Sequence, residues 1–272
     1  DVDRIAAEIP NVVATTQPAS IAQQGYPYEE HFVTTRDGYV LTVHRISGPR
    51  GTKSGNANPR RKSLLLLHGF LMSSTGFLAL GPEYSLGYIL ADAGYDVWLG
   101  NFRGNTYSRN HTSLNPDSNK SFWHFSRDEM SEYDVPAMID HIITQTGHRQ
   151  VIILGLSLGG TIGLMTATNR TVAEKKMMPV IFANLFEGSS ARTISHAAQP
   201  ECEIERLDIG FHKFDFGEAE NRRRYGHVTP PAYNVSRIPC PVALYWAEND
   251  PTTKTKVHHD EPQHNIIYYE IE

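Results

Sequence analysis

Apolar and polar positions along the chain fall into short runs of alternating kinds. Residues 30–35 and 39–45 are β-prone and hinge on Arg36-Asp37-Gly38, a β-hairpin signal. A polar stretch, 48–62, reads as a loop. It is followed by Ser63-Leu64-Leu65-Leu66-Leu67, which stops at His68-Gly69 as a strand buried on both faces does. Residues 86–93 carry a helical pattern closed by Gly94, and Asp96-Val97-Trp98-Leu99 is again strand-like. Next, Asp134 reads as a helix cap and Pro136 as a first-turn residue, with Val135, Ile139, Ile142 and Ile143 on one face and Gly147 at the end. Val151-Ile152-Ile153-Leu154 is another buried-type strand, followed by a small, apolar helical stretch. Residues 179–185, 242–246 and 266–271 add three strands. This alternation predicts an α/β fold: a mostly parallel sheet with helices on both faces and functional groups at the carboxyl ends of its strands.

One junction carries chemistry. Gly155-Leu156-Ser157-Leu158-Gly159 matches G-x-S-x-G between a strand and a helix-compatible stretch, the context in which a tight turn lifts a serine hydroxyl above the sheet. Serine is a weak nucleophile at neutral pH, so an acyl-transfer site also needs a base, an acid to orient it and donors for an oxyanion. The Leu158 N–H at a helix N-terminus is one candidate donor, and the loop His68-Gly69-Phe70-Leu71 after an earlier strand supplies another. Asp250, just after the 242–246 strand, fits the acid, with Glu187 as its competitor. A base is harder to place. His258, His259 and His264 follow Asp250 but precede the last strand, which puts them toward its amino end and favours a surface role.

Composition narrows the classes without choosing one. The chain has 272 residues, 40% hydrophobic, with 25 Lys and Arg against 30 Asp and Glu, which is ordinary globular composition. A net charge of −5 gives no electrostatic footprint for nucleic acid. No apolar run approaches a transmembrane segment. The first residue is Asp1, which reads as a processed chain or a fragment. Cys202 and Cys240 leave a single bridge open as one of two alternatives. Sequons at Asn110, Asn119, Asn169 and Asn234 lean toward a secretory route and glycosylation.

The chain resembles the acid lipase family of α/β-hydrolases, the gastric and lysosomal lipases. The likeness runs through residues 21–168, in Gly25-Tyr26-Pro27-Tyr28-Glu29-Glu30, Asp37-Gly38-Tyr39, Ile89-Leu90-Ala91-Asp92-Ala93-Gly94-Tyr95 and Arg103-Gly104-Asn105-Thr106. It also includes Asp128-Glu129-Met130 and Tyr133-Asp134, and it resumes at Phe214-Asp215-Phe216-Gly217 and Pro230-Pro231-Ala232-Tyr233-Asn234-Val235. The resemblance implies an α/β-hydrolase fold, with Ser157 as nucleophile, Asp250 as triad acid, and Phe70 and Leu158 forming the oxyanion hole. It implies hydrolysis of neutral lipid esters such as acylglycerols or sterol esters, without metal or organic cofactor, in a secreted or lysosomal setting and at a lipid–water interface.

Three departures from the family pattern shape the expectation. Leu156 and Leu158 stand where family members usually carry His and Gln. Only residues 189–240 are available for the cap insertion, so a single domain over 1–272 with a reduced cap is expected. The family's triad histidine would fall beyond Glu272. Two rivals therefore accompany the lipase reading: an inactive α/β-hydrolase used for lipid binding or interaction, and an esterase of short, soluble esters.

Overall fold

The computed structural model describes residues 20–53, 58, 60–168, 177–183, 212–246 and 266–270. Among the described residues nine strands form one sheet: β1 (Tyr28–Thr34), β2 (Tyr39–Ile46), β3 (Ser63–Leu67), β4 (Asp96–Gly100), β5 (Asn110–His111), β6 (Val151–Leu156), β7 (Met177–Ala183), β8 (Val242–Trp246) and β9 (Ile266–Glu270). Their order is β1-β2-β4-β3-β6-β7-β8-β9, with the short β5 added to β2. The pairs from β4 through β3 to β9 are parallel, whereas β2 is antiparallel to each of its partners.

The hairpin turn forms because Thr35 and Asp37 can satisfy it locally. The Thr35 hydroxyl donates to Asp37 at 2.6 Å and accepts from the Tyr39 N–H at 2.9 Å. Gly38 takes the positive φ of 97° that the turn needs. β3 is buried along its whole length. Leu65 and Leu67 enter one core with Trp98, Met138, Ile139 and Ile153, while Leu64 and Leu66 enter the other with Leu78, Tyr88, Ala91 and Leu99. Period-2 side-chain alternation between two apolar layers explains why four leucines follow Ser63 with no polar position among them.

Helix α1 (Leu86–Asp92) lies between β3 and β4, and α2 (Val135–Thr146) precedes β6 and ends at Gly147 with φ 71°. Helix α3 (Leu158–Ala167) follows β6, and α4 (Glu218–Tyr225) lies in the stretch before β8. Asp134 does not cap α2 as expected: it is itself helical and makes no side-chain cap. A capping box at Ser126 and Glu129 starts the helical path instead, and a π-helical turn, Met130–Asp134, leads straight into α2. β7 begins two residues earlier than expected. Pro179, which has no N–H for the ladder, sits in the register shift where Ile152 pairs Met178 and Ile153 pairs Val180.

The carboxylate freed from capping joins a buried ion network. Arg103, 1% exposed at its side chain, pairs with Asp134 at 2.7 Å and Asp37 at 2.6 Å and stacks 4.0 Å from the Tyr39 ring centroid. The Arg103 backbone N–H also donates to Asp134 at 3.1 Å. Burial opposes charge on Arg103, but the two carboxylates hold it firmly protonated. Arg103→Ala is expected to lower unfolding free energy by about 3–5 kcal/mol, because it strands the fully buried Asp134. Urea unfolding checks this, and a loss under about 1 kcal/mol would contradict the network's role.

Candidate active site

β6 ends at Leu156 and α3 begins at Leu158, so the reversal between them rests on Ser157 alone. Ser157 has φ 50° and ψ −117°. With Leu71 it is one of two non-glycine residues at positive φ among the described residues. Such a conformation costs on the order of 1–3 kcal/mol and persists only where its surroundings enforce it.

The surroundings here are backbone. A Cβ on Gly159 would stand 2.1 Å from the Leu67 carbonyl oxygen, and one on Gly155 would stand 2.3 Å from the Gly160 nitrogen and Cα. β3, β6 and the start of α3 therefore meet at a distance only glycine allows. The Ser157 side chain is half-buried and does not cap the helix, although its carbonyl accepts from the N–H groups of Gly160 and Thr161. Leu158 opens α3, where an N–H has no acceptor within the helix and sits at the positive end of its dipole.

The facing wall is the loop after β3. His68 is buried, and its Nδ1–H donates to the Gly69 carbonyl at 2.8 Å. Its Nε2 accepts from the Phe102 N–H and from Asn105 Nδ2, both at 3.1 Å; these partners assign the tautomer. Burial lowers its pKa to about 4, which keeps the ring neutral. With both nitrogens engaged, His68 shapes the loop and is not a base for Ser157. Asn101 extends the support: its Oδ1 accepts from the Ser74 N–H and Asn105 Nδ2, each at 2.9 Å. Phe70 is half-buried in the loop so held. Leu71, Phe102, Met130 and Leu158 line a cavity of about 10 Å³ beside His68, roughly the room for one water.

Asp128 is a buried acid that the sequence pattern did not single out as functional. It accepts from the Phe214 N–H at 2.8 Å and from the Tyr233 hydroxyl, and burial pushes its carboxyl above the usual carboxylate range. It thereby ties the two ends of the segment carrying α4 to the helical turn before α2. That segment also holds itself together through an antiparallel bridge between His212 and Ala232.

Of the expected site residues, Ser157 and Leu158 share the elbow and Phe70 lies on the loop after β3. Asp250, Glu187, His258, His259, His264, Cys202, Asn169 and residues 189–211 lie outside the described residues. Cys240 is a buried free thiol. Asn110, Asn119 and Asn234 are exposed. Among the described residues no cluster of His, Cys, Asp or Glu could hold a metal, and no helix is long and apolar enough to cross a membrane.

The profile for a partial α/β-hydrolase lipase region matches residues 18–81, and that for the α/β-hydrolase fold matches 62–177. Gastric triacylglycerol lipase of Bos taurus is 49% identical over an alignment covering 85% of this chain and 77% of the relative. The chain belongs to this lipase family of α/β-hydrolases. Membership makes it a carboxylic-ester hydrolase. Lipase 1 of Drosophila melanogaster is 46% identical, over 85% of this chain and 66% of its own length. The fold is also that of an esterase from Pyrococcus furiosus, at a TM-score of 0.52 and 14% identity, covering 92% of this chain and 84% of the other.

Two outcomes follow from the geometry. Gly159→Ala should destabilise the chain by about 3 kcal/mol or more, since a backbone carbonyl cannot move aside as a side chain can; an unchanged thermal midpoint would contradict the close contact. For His68, whose folded pKa lies below the ordinary 6.5, the unfolded chain takes up the extra proton between pH 6.5 and about 4. Stability should fall as pH is lowered through that window, and less steeply in His68→Asn. Urea midpoints at several pH values read this out, and equal slopes would contradict it.

Proposed function

We propose that the chain hydrolyses neutral lipid esters through an acyl-enzyme on Ser157. The observation carrying this reading is the elbow itself, a strained serine held between two glycine contacts at the opening of a helix. Ser157 Oγ attacks the ester carbonyl carbon while a histidine base, supplied from outside the described residues, takes the hydroxyl proton. Negative charge moves to the carbonyl oxygen, where the N–H groups of Leu158 and Phe70 receive it. As the C–O bond breaks, the base returns the proton to the departing alcohol. Water then repeats the sequence on the acyl-enzyme, releasing the fatty acid and restoring the serine. Asp250 orients the base, and no metal or organic cofactor takes part.

The name gastric triacylglycerol lipase supports acylglycerols as the substrate class and a secreted setting, and a lysosomal setting rests on the family resemblance alone. Exposure of Asn110, Asn119 and Asn234 supports glycosylation there. The bovine alignment runs over 308 positions, more than this chain contains, so the relative carries internal residues without counterparts here. That supports a shortened cap over 189–240 and a more open cleft.

A fluorophosphonate probe tests the reading on the protein carrying its histidine base. It should label wild type and Leu158→Gln at rates within about tenfold, because the donor at 158 is main-chain, and Ser157→Ala not at all. Labelling that survives Ser157→Ala, or wild type that stays unlabelled, would overturn the assignment. Hydrolysis of triolein should persist alongside tributyrin; activity confined to tributyrin would move the reading to a short-ester esterase.

A further inference from the structure

The segment between the oxyanion-side loop and β4 presents apolar side chains to solvent. Leu80 and Tyr84 are each 72% exposed, Ile89 is 45% and Leu86 is 36%. Helix α1 buries Gly87, Tyr88 and Ala91 on its inner face, so Leu86 and Ile89, three residues apart, give it a second, outward apolar face.

Their position follows from topology. Residues 68–85 leave the carboxyl end of β3, where Ser157 also sits, and the Ser74 N–H pins them to Asn101 just past the carboxyl end of β4. The chain reaches α1 only afterward, so Leu80, Tyr84 and Leu86 stand on the rim that carries the elbow. They are also held there. Phe77 and Leu78 anchor the stretch in the core. Above that anchor, the Ser85 hydroxyl accepts from the Leu80 N–H at 2.8 Å and the Gly81 carbonyl accepts from the Ser85 N–H at 2.9 Å. The turn is a pedestal that holds Leu80 and Tyr84 outward, with Glu83 exposed between them.

Charge identifies the occupant. No Lys or Arg occurs between Lys62 and Arg103, while Glu83 and Asp92 are both exposed. Arg50 meets the far end of α1 through its N–H to Asp92 at 3.0 Å, but the stretch that carries Leu80, Tyr84 and Leu86 offers an anionic surface no cation of its own, so association there rests on apolar burial. We propose that Leu80, Tyr84, Leu86 and Ile89 form the surface by which this protein seats itself on an uncharged lipid–water interface, presenting the rim of the elbow to the lipid. This rests on the lipid-ester reading of the site and names where the lipid phase meets the protein.

The test is flotation of the full protein with triolein droplets coated in phosphatidylcholine, under conditions that require no turnover. Leu80→Ser combined with Tyr84→Ser should lower the partition coefficient at least tenfold and leave both the thermal midpoint and fluorophosphonate labelling intact. Phe32→Ser, at a 64% exposed residue on the edge strand β1, should leave partition unchanged. Partition unaltered in the double variant would overturn the proposal, as would tighter binding when phosphatidylserine is added. A change in sedimentation without a change in partition would make the patch a contact between copies and overturn it too. Wild type that floats with the droplets yet resists the probe would sink the hydrolase reading and leave the surface standing.

Discussion

Everything at the site depends on one steric fact: three stretches of backbone meet where no side chain fits. Leu67 at the end of β3, Gly155 in β6 and Gly159-Gly160 at the head of α3 are packed main chain against main chain. The packing leaves Ser157 no room for an ordinary backbone conformation and drives it to positive φ. Strain of this kind is tolerated because the two apolar layers on either side of the sheet fix the strand and helix positions independently. Ser157 is presented by the rigidity of its neighbours, not by any bond its hydroxyl makes to the helix.

Around this apolar vise runs a polar frame. His68, kept neutral by burial, joins the loop after β3 to the loop after β4 through the Phe102 N–H, and Asn105 and Asn101 continue the chain of hydrogen bonds to Ser74. The Arg103 pairs with Asp37 and Asp134 fasten the same loop to the hairpin turn and to the start of α2. Two faces of the proposed oxyanion site, the helix head and the facing loop, are thus fixed by different forces. Backbone contact sets the first, and a buried hydrogen-bond network sets the second. Asp128 extends the frame to the segment carrying α4.

The legible parts of the chain were those whose physics is local. Strands buried on both faces leave continuous apolar runs, so β3, β4, β6 and β8 could be placed within two residues at each end, and the strand–turn–helix context of Ser157 could be read from its glycines. The local pattern makes Asp134 a cap, but its carboxylate has a long-range partner in Arg103, which outcompetes that role. The local pattern starts β7 at Pro179, two residues late, because the bulge there is visible only against its partner strand. The roles of His68, Asn101, Asn105 and Asp128 depend on contacts between residues 27 to 86 positions apart, which no spacing rule encodes. Asn105 and Asp128 fall within the words of the family resemblance, yet the work all four side chains perform emerges only from the fold.

The most direct measurement is the crystal structure of the protein inactivated by a phosphonate ester. The account predicts a covalent bond from phosphorus to Ser157 Oγ, with the phosphoryl oxygen about 2.7–3.1 Å from the main-chain nitrogens of both Leu158 and Phe70. An adduct on another side chain, or an oxygen turned away from those two amides, would contradict it.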